Sequence, residues 1–139
     1  MEGKISVTVE GRQRVENGLW ESSQTLAEGI CQMRLQQFLV SYEEITELGL
    51  VHNTLCLSPK EIFIKKRGAV SFVLDLVPGE AKEAAYEMSY GTIPLQVDTS
   101  FVDLQMRPDE ITANAAYVLL SGGSPFSENE IRITIRPAS

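Results

Sequence analysis

The chain has 139 residues, of which 43% are hydrophobic and 22% are charged, and its formal net charge is −7. This length and composition suit one globular domain spanning residues 1–139, and they exclude a chain that is disordered throughout. The acidic balance disfavours nucleic-acid binding, because an acidic surface repels a phosphate backbone.

The cysteines and the start of the chain bear on its compartment. Cys31 and Cys56 are too few for a disulfide framework and are expected to be reduced thiols that pack as small hydrophobic side chains. Met1 leads almost directly into an alternating segment that begins at Ile5, without a secretory signal pattern. No apolar run approaches the ~18 residues that a membrane-spanning helix needs. These features predict a cytoplasmic protein.

Alternation of apolar and polar residues dominates the chain and predicts β-strands with one apolar face. The first such segment carries Ile5, Val7 and Val9 between polar residues. Four further segments follow the same pattern: Val70, Phe72, Leu74 and Leu76; Ile93, Leu95 and Val97; Ala113, Ala115, Tyr117 and Leu119; and Ile131, Ile133 and Ile135. Weaker strands are predicted at about 24–34, 37–46, 52–57 and 61–66.

Turn residues separate these segments at the spacing expected of a β-sandwich or barrel. Ser58-Pro59-Lys60 predicts a tight turn, because proline presets φ. Further turns are predicted at Arg67-Gly68, Pro78-Gly79, Pro108-Asp109 and Gly122-Gly123-Ser124-Pro125. The longest irregular stretch, 11–23, contains the only tryptophan, Trp20. We consider this loop as a lid on an open barrel end, a hairpin connection or a dimer contact.

Residues 80–88 favour two different structures. Their alanine and glutamate content is typical of a helix. However, Ala84, Tyr86 and Met88 alternate with Glu83 and Glu87, and the neighbouring segments are strands that must pair. We therefore predict a strand, with a short helical turn at 80–82 as the alternative. Some ten strands in one chain must protect their edges, and closure into a barrel does so most completely.

A series of short motifs resembles the YwiB-like family. The motifs are Tyr42-Glu43-Glu44, Gly49, Thr54-Leu55, Ile62 to Ile64, Arg67-Gly68, Tyr86, Ser89-Tyr90-Gly91 and Glu128-Asn129-Glu130-Ile131. That family comprises small bacterial proteins of unknown function with a calycin-like, lipocalin-shaped fold. The resemblance implies an all-β protein, a single antiparallel barrel of about eight to ten strands. It implies no reaction.

No set of side chains predicts catalysis, a metal site or a cofactor. His52 is the only histidine, which excludes a multi-histidine metal site. Cys56 lies on the same strand face as His52 but roughly 13 Å away by strand rise. Cys31 would reach His52 only if the fold joined them. We therefore predict no catalytic residue and expect that the protein is not an enzyme.

Glu44 is the most informative charged residue, because it shares a strand face with Phe38, Val40 and Tyr42. Inside a barrel it would be a buried polar anchor and would need a partner, for which Arg67 is the candidate. Alternatively, the strand passes the barrel rim or bulges there, and Glu44 is solvated. The basic run at 65–67 either binds an anion or solvates a strand end.

Aromatic side chains on the expected inward faces suggest a pocket. The candidate ligand-binding residues are Tyr42, Glu44, Arg67, Phe72, Tyr86, Tyr90 and Tyr117. A barrel of this size either holds a small ligand or is filled by its own side chains. We predict binding of a small, partly apolar molecule. The alternative is a protein-interaction module or homodimer that uses Val118 and Leu120 on the opposite strand face.

Overall fold

The computed structural model describes residues 1–88 and 91–138, and its regular structure there is entirely β-strand. The strands are β1 (Gly3–Arg14), β2 (Glu21–Arg34), β3 (Gln37–Thr46), β4 (Gly49–Leu57), β5 (Ile62–Gly68), β6 (Ser71–Leu76), β7 (Ala81–Met88), β8 (Gly91–Arg107), β9 (Glu110–Ser121) and β10 (Ser124–Pro137). No helix in these residues is long and apolar enough to span a membrane. The all-β prediction is confirmed.

The strands form one closed antiparallel barrel in which each strand pairs with its neighbours in the chain, and β10 pairs with β1. The connections β1–β2, β3–β4, β5–β6, β7–β8 and β9–β10 therefore lie at one end of the barrel, which we call the mouth. The other four connections and both chain termini lie at the opposite end, the base. This up-and-down topology confirms the predicted barrel.

The interior of the barrel is filled toward the base by apolar side chains. The largest fully buried ones include Ile5, Leu55, Leu57, Ile62, Leu76, Ile133 and Ile135. Each comes from the apolar positions of an alternating strand, and burying one such side chain contributes about 1.5–3 kcal/mol. The largest buried side chains are therefore concentrated in this half of the barrel.

The first hairpin is longer than predicted. The expected loop at 11–23 is mostly strand, because β1 continues to Arg14 and β2 begins at Glu21, with Gln13 opposite Glu21. The remaining turn is closed by the Gly18 N–H, which donates to the Val15 carbonyl at 2.9 Å. The sequence shows no alternation of apolar and polar residues here, because the inward positions near this turn are small or polar.

The contested segment is a strand. β7 pairs with β8 along its whole length, from Ala81 opposite Asp98 to Met88 opposite Gly91. Ala84 is buried, whereas Glu83 and Glu87 are exposed, as the alternation predicted. The Glu80 N–H donates to the Val77 carbonyl at 3.2 Å in a turn, so the alternative of a helical turn at 80–82 is wrong.

Strand pairing is incomplete at several places among the described residues, and two of them involve β2 and β8. β2 pairs with β3 only from Gly29 opposite Tyr42 down to Arg34 opposite Gln37, so the two strands diverge toward the mouth. A Cβ atom at Gly29 would overlap the Ser41 carbonyl oxygen and approach the Tyr42 Cβ to 3.0 Å, which explains glycine at the point of divergence. β8 pairs with β7 only as far as Asp98, and Thr99 forms one isolated bridge with Pro78; from Phe101 to Arg107, β8 pairs with β9 alone among the described residues.

Candidate ligand-binding site

One cross-strand row of inward positions brings several predicted residues together. Tyr42 on β3 lies opposite Asn53 on β4, which lies opposite Lys66 on β5. Lys66 in turn lies opposite Phe72 on β6, which lies opposite Tyr86 on β7. Opposed residues of an antiparallel sheet share a face and have neighbouring side chains. The row therefore forms a continuous stripe on the inner wall.

Three polar side chains form a hydrogen-bonded cluster in this stripe. The Lys66 ammonium donates to Asn53 Oδ1 at 2.8 Å and lies 3.4 Å from Glu44 Oε1. Asn53 Nδ2 donates to the same Glu44 oxygen at 3.3 Å. Asn53 is 1% exposed, so its amide would be costly without these partners. Glu44 faces inward beside these partners, but its side chain retains 23% exposure, so it lies between the two alternatives of a buried anchor and a solvated acid at the rim.

Two of the predicted tyrosines, Tyr42 and Tyr117, have raised pKa values. Burial, with the nearby negative charge of Glu44, raises the pKa of Tyr42 to about 12. Burial raises the pKa of Tyr117 to about 12 as well. Both phenols therefore remain protonated near neutral pH, as an unperturbed tyrosine does.

A cleft of about 350 Å³ opens at the mouth, next to the divergence of β2 and β3. Its inward-facing lining is mixed in character: Val9, Gln13, Glu21, Ser23, Thr25, Lys66, Tyr117, Asn129 and Ile131. Lys66 thus connects the buried polar cluster to the cleft. Volumes of roughly 300–1,000 Å³ are usual for small-molecule sites.

Phe72 and Tyr86 continue the stripe beyond Lys66 as an aromatic pair. Their ring centroids are 5.7 Å apart and the rings are inclined by 57°. This tilted arrangement is one that aromatic pairs favour. Both side chains are half-buried, so they extend the inner wall with an apolar surface beside the lysine.

Arg67 is not the partner of Glu44. It follows Lys66 on β5 and therefore points to the outer face, where it is exposed. The prediction of Arg67 as an interior anchor is wrong in its placement, and Lys66 occupies that role. The sequence already indicated that Lys66 faces inward, because Ile62 and Ile64 are inward positions of the same strand and Lys66 is the next position with their spacing. Tyr90 lies outside the described residues.

The cysteines and the histidine do not form a reactive group. Cys31 is buried and inward, whereas His52 is exposed on the outer face, where its Nδ1 lies 3.2 Å from Glu43 Oε1. Burial raises the pKa of the Cys31 thiol. Burial and the charges of nearby carboxylates raise the pKa of Cys56. Both thiols are thus held in their less nucleophilic form.

A carboxyl pair lies outside the site, near the base. Glu61 has a pKa raised to about 7 by a hydrogen bond with Asp75, by burial and by the negative charge of Asp75. Asp75 Oδ1 is buried without a hydrogen-bond partner among the described residues. A proton on Glu61 therefore lets the two side chains satisfy each other.

Trp20 packs on the outside of the barrel and does not cover the mouth. Its ring lies 4.5 Å from the Arg12 guanidinium carbon and 5.0 Å from that of Arg14. The two arginines also form ion pairs with β10 at 3.0 Å and 2.8 Å. Val118 borders the depression next to Trp20 and is half-buried, as is Leu120. Trp20 therefore does not contribute to a lid, which was one of the three alternatives for the segment 11–23.

Comparison with known proteins agrees with this architecture. A family model described as a domain of unknown function, DUF1934, matches residues 7–133. The chain belongs to this family. It is 23% identical over 135 residues to the uncharacterized beta-barrel protein YwiB of Bacillus subtilis, covering 96% of this chain and 95% of that protein.

The crystal structure of YwiB from Bacillus subtilis superposes on this barrel with a TM-score of 0.86 at 22% identity. The match covers 99% of this chain and 94% of that one. The resemblance to the YwiB-like family is thereby confirmed, as is the fold. Neither the family nor the relative indicates a specific function.

Proposed function

We propose that the barrel binds a small, partly apolar molecule that carries a polar or anionic group, in the cleft at its mouth. The observation that carries this proposal is the position of Lys66, which lines the cleft while it is held by Asn53 and Glu44. A lysine fixed by hydrogen bonds in a half-buried site is pre-organised to meet an anionic or polar group.

The remaining lining supports the same class of ligand. Val9, Ile131 and the ring of Tyr117 offer apolar contact, whereas Gln13 and Asn129 offer hydrogen-bonding groups. Binding sites of this kind combine an apolar wall with a few placed polar groups. The calycin-like cup shape adds support by analogy alone. Free Cys31 and Cys56 favour a reducing compartment, which we propose to be the bacterial cytoplasm.

Native mass spectrometry of the protein purified from its own host tests this proposal. We expect a reproducible additional mass that is lost on denaturation. Lys66→Met should lose that mass, and Lys65→Met should keep it, because Lys65 is exposed on the opposite face of the same strand. The two variants remove the same charge one residue apart, which makes the second a matched control.

Small molecules that dissociate during purification require a second measurement. The purified protein is incubated with a concentrated small-molecule extract of the host and examined again under native conditions. A bare chain mass in both experiments would reject binding at the mouth. Equal retention of the additional mass by both lysine variants would place the ligand elsewhere on the protein.

A further inference from the structure

The C-terminal part of β8 has an unpaired edge near the base of the barrel. β7 accompanies β8 only up to Asp98, and the Gly79 N–H donates to the Thr99 carbonyl at 3.2 Å. Ser100 then forms a bulge, after which Phe101–Arg107 pairs with β9 but with no strand on its other side among the described residues. An unpaired edge offers backbone hydrogen-bonding groups to another strand.

The side chains along this edge alternate in character. Asp103, Gln105 and Arg107 share the outer face, since they lie opposite outward residues of β9. Leu104 and Met106 lie on the inner face, and Met106 is nevertheless 62% exposed. Phe101 on the outer face is 47% exposed. Such exposed apolar side chains beside a free edge are typical of an interaction surface.

We propose that this edge pairs antiparallel with the same edge of a second copy of the chain, about a two-fold axis through Gln105. In that register, Asp103 of each copy lies opposite Arg107 of the other, which forms two equivalent ion pairs. Leu104 of each copy lies opposite Met106 of the other, which covers the exposed methionine. Both faces of the edge are thus self-complementary, as an isologous contact requires.

Neighbouring registers lack this complementarity. If the two-fold axis moves by one residue toward the mouth, from Gln105 to Leu104, Phe101 lies opposite Arg107 and Asp103 lies opposite Gln105. The opposite shift puts Asp103 opposite Asp109, so that two acids face each other. A two-fold axis perpendicular to the sheet excludes the intermediate registers, because they would place the inner face of one copy beside the outer face of the other.

A second free edge serves as an internal comparison. Residues 21–28 of β2 have no partner on the β3 side in the described part of the chain, because the two strands diverge above Gly29. The charged side chains of this edge are Glu21 and Glu28, both acidic. Self-pairing there would create no opposite-charge pair, in a chain whose net charge is already −7. Of these two edges, the β8 edge is therefore the one suited to a second copy.

Sedimentation equilibrium over a wide range of protein concentration tests the proposed dimer. Because the strand contact is short, we expect a reversible dimer that is favoured at high concentration. Asp103→Arg or Arg107→Asp alone places like charges opposite each other and should weaken dimerisation about tenfold. The double variant restores opposite charges and should restore dimerisation. Glu28→Arg, on the other free edge, should change nothing.

A cysteine cross-link tests the register separately. Residues opposed across an antiparallel pair have Cα atoms about 4.5–5.5 Å apart, within disulfide range. In a Cys56→Ser background, Gln105→Cys should form a disulfide-linked dimer on mild oxidation, whereas Glu28→Cys should not. A wild-type chain that stays monomeric at the highest concentration, or a dimer indifferent to both single charge reversals, would overturn the proposal.

Discussion

The ion pair between Glu44 and Lys66 allows a quantitative test of the site, because it is more buried but longer than a second ion pair on the surface. Its atoms are 3.4 Å apart and the side chains are 23% and 32% exposed. The pair between Arg12 and Glu130 is closer, at 3.0 Å, but each side chain is 48% exposed. If burial outweighs distance, the longer pair should contribute more to stability.

Coulomb's law sets the scale. At the separation of Glu44 and Lys66, the attraction is about 1 kcal/mol in bulk water and about 5 kcal/mol at an effective dielectric constant of 20. Partial exposure and the cost of desolvation reduce the net value, so we expect a coupling energy of about 1–2 kcal/mol. For the exposed pair, we expect about 0.2–1 kcal/mol.

Double-mutant cycles measured by urea unfolding provide the comparison. The first combines Glu44→Gln with Lys66→Met, and the second combines Arg12→Gln with Glu130→Gln. A cycle isolates the pairwise term, so other contacts of each side chain largely cancel. Added salt should reduce the coupling of the exposed pair more strongly. An exposed pair that couples as strongly as the interior pair would refute the assignment of Lys66 and Glu44 to a pre-organised interior cluster.

Three further predictions concern other parts of the barrel. Gly29→Ala should lower the free energy of unfolding by about 1–2 kcal/mol, because overpacking costs about 1–3 kcal/mol and the reduced entropy of the unfolded chain returns about 0.4–1 kcal/mol. Gly11→Ala, whose nearest contact would be a side-chain oxygen at 3.2 Å, should cost clearly less in the same urea titration. Trp20→Ala should remove two cation–π contacts that together contribute about 1–2 kcal/mol. Amide hydrogen exchange in the first hairpin should therefore become faster, and unchanged exchange rates would contradict this prediction. The pKa of Glu61 in the folded chain, about 7, exceeds the ordinary value of 4.5, so the folded chain binds more protons than the unfolded chain and its stability should fall as pH rises between these values. Glu61→Gln should flatten this dependence of stability on pH. If the variant shows the same slope as the wild type, the Glu61–Asp75 pair is not its origin.

Several features of the site followed from alternation alone. Tyr42, Phe72 and Tyr117 were placed on inward faces because apolar residues two positions away fixed the parity of their strands. The same reasoning, carried one step further along β4 and β5, would have placed Asn53 and Lys66 inside as well. The basic run at 65–67 suggested Arg67 as the partner of Glu44, but Arg67 follows Lys66 directly, and adjacent residues of a strand point to opposite faces.

The first hairpin shows where alternation fails. Gly11, Gln13, Glu21 and Ser23 face inward but are small or polar, because the interior near the mouth is a polar cleft. A strand with polar residues on both faces has no amphipathic pattern, so it resembles a loop. The missing alternation reflects the polar lining of the cleft. It can be interpreted in this way only once the register between β1 and β10 shows which residues face inward.

The amino-acid sequence by itself determined the strand content and the inward parity of most residues, because these depend on local alternation and turn chemistry. Only the tertiary structure decided which residues meet across strands. The register aligns Tyr42 with Asn53 and Lys66, opens β2 from β3 above Gly29 and leaves the end of β8 without a partner. Register and closure arise from packing summed around the whole barrel, and no single segment of the chain carries that information.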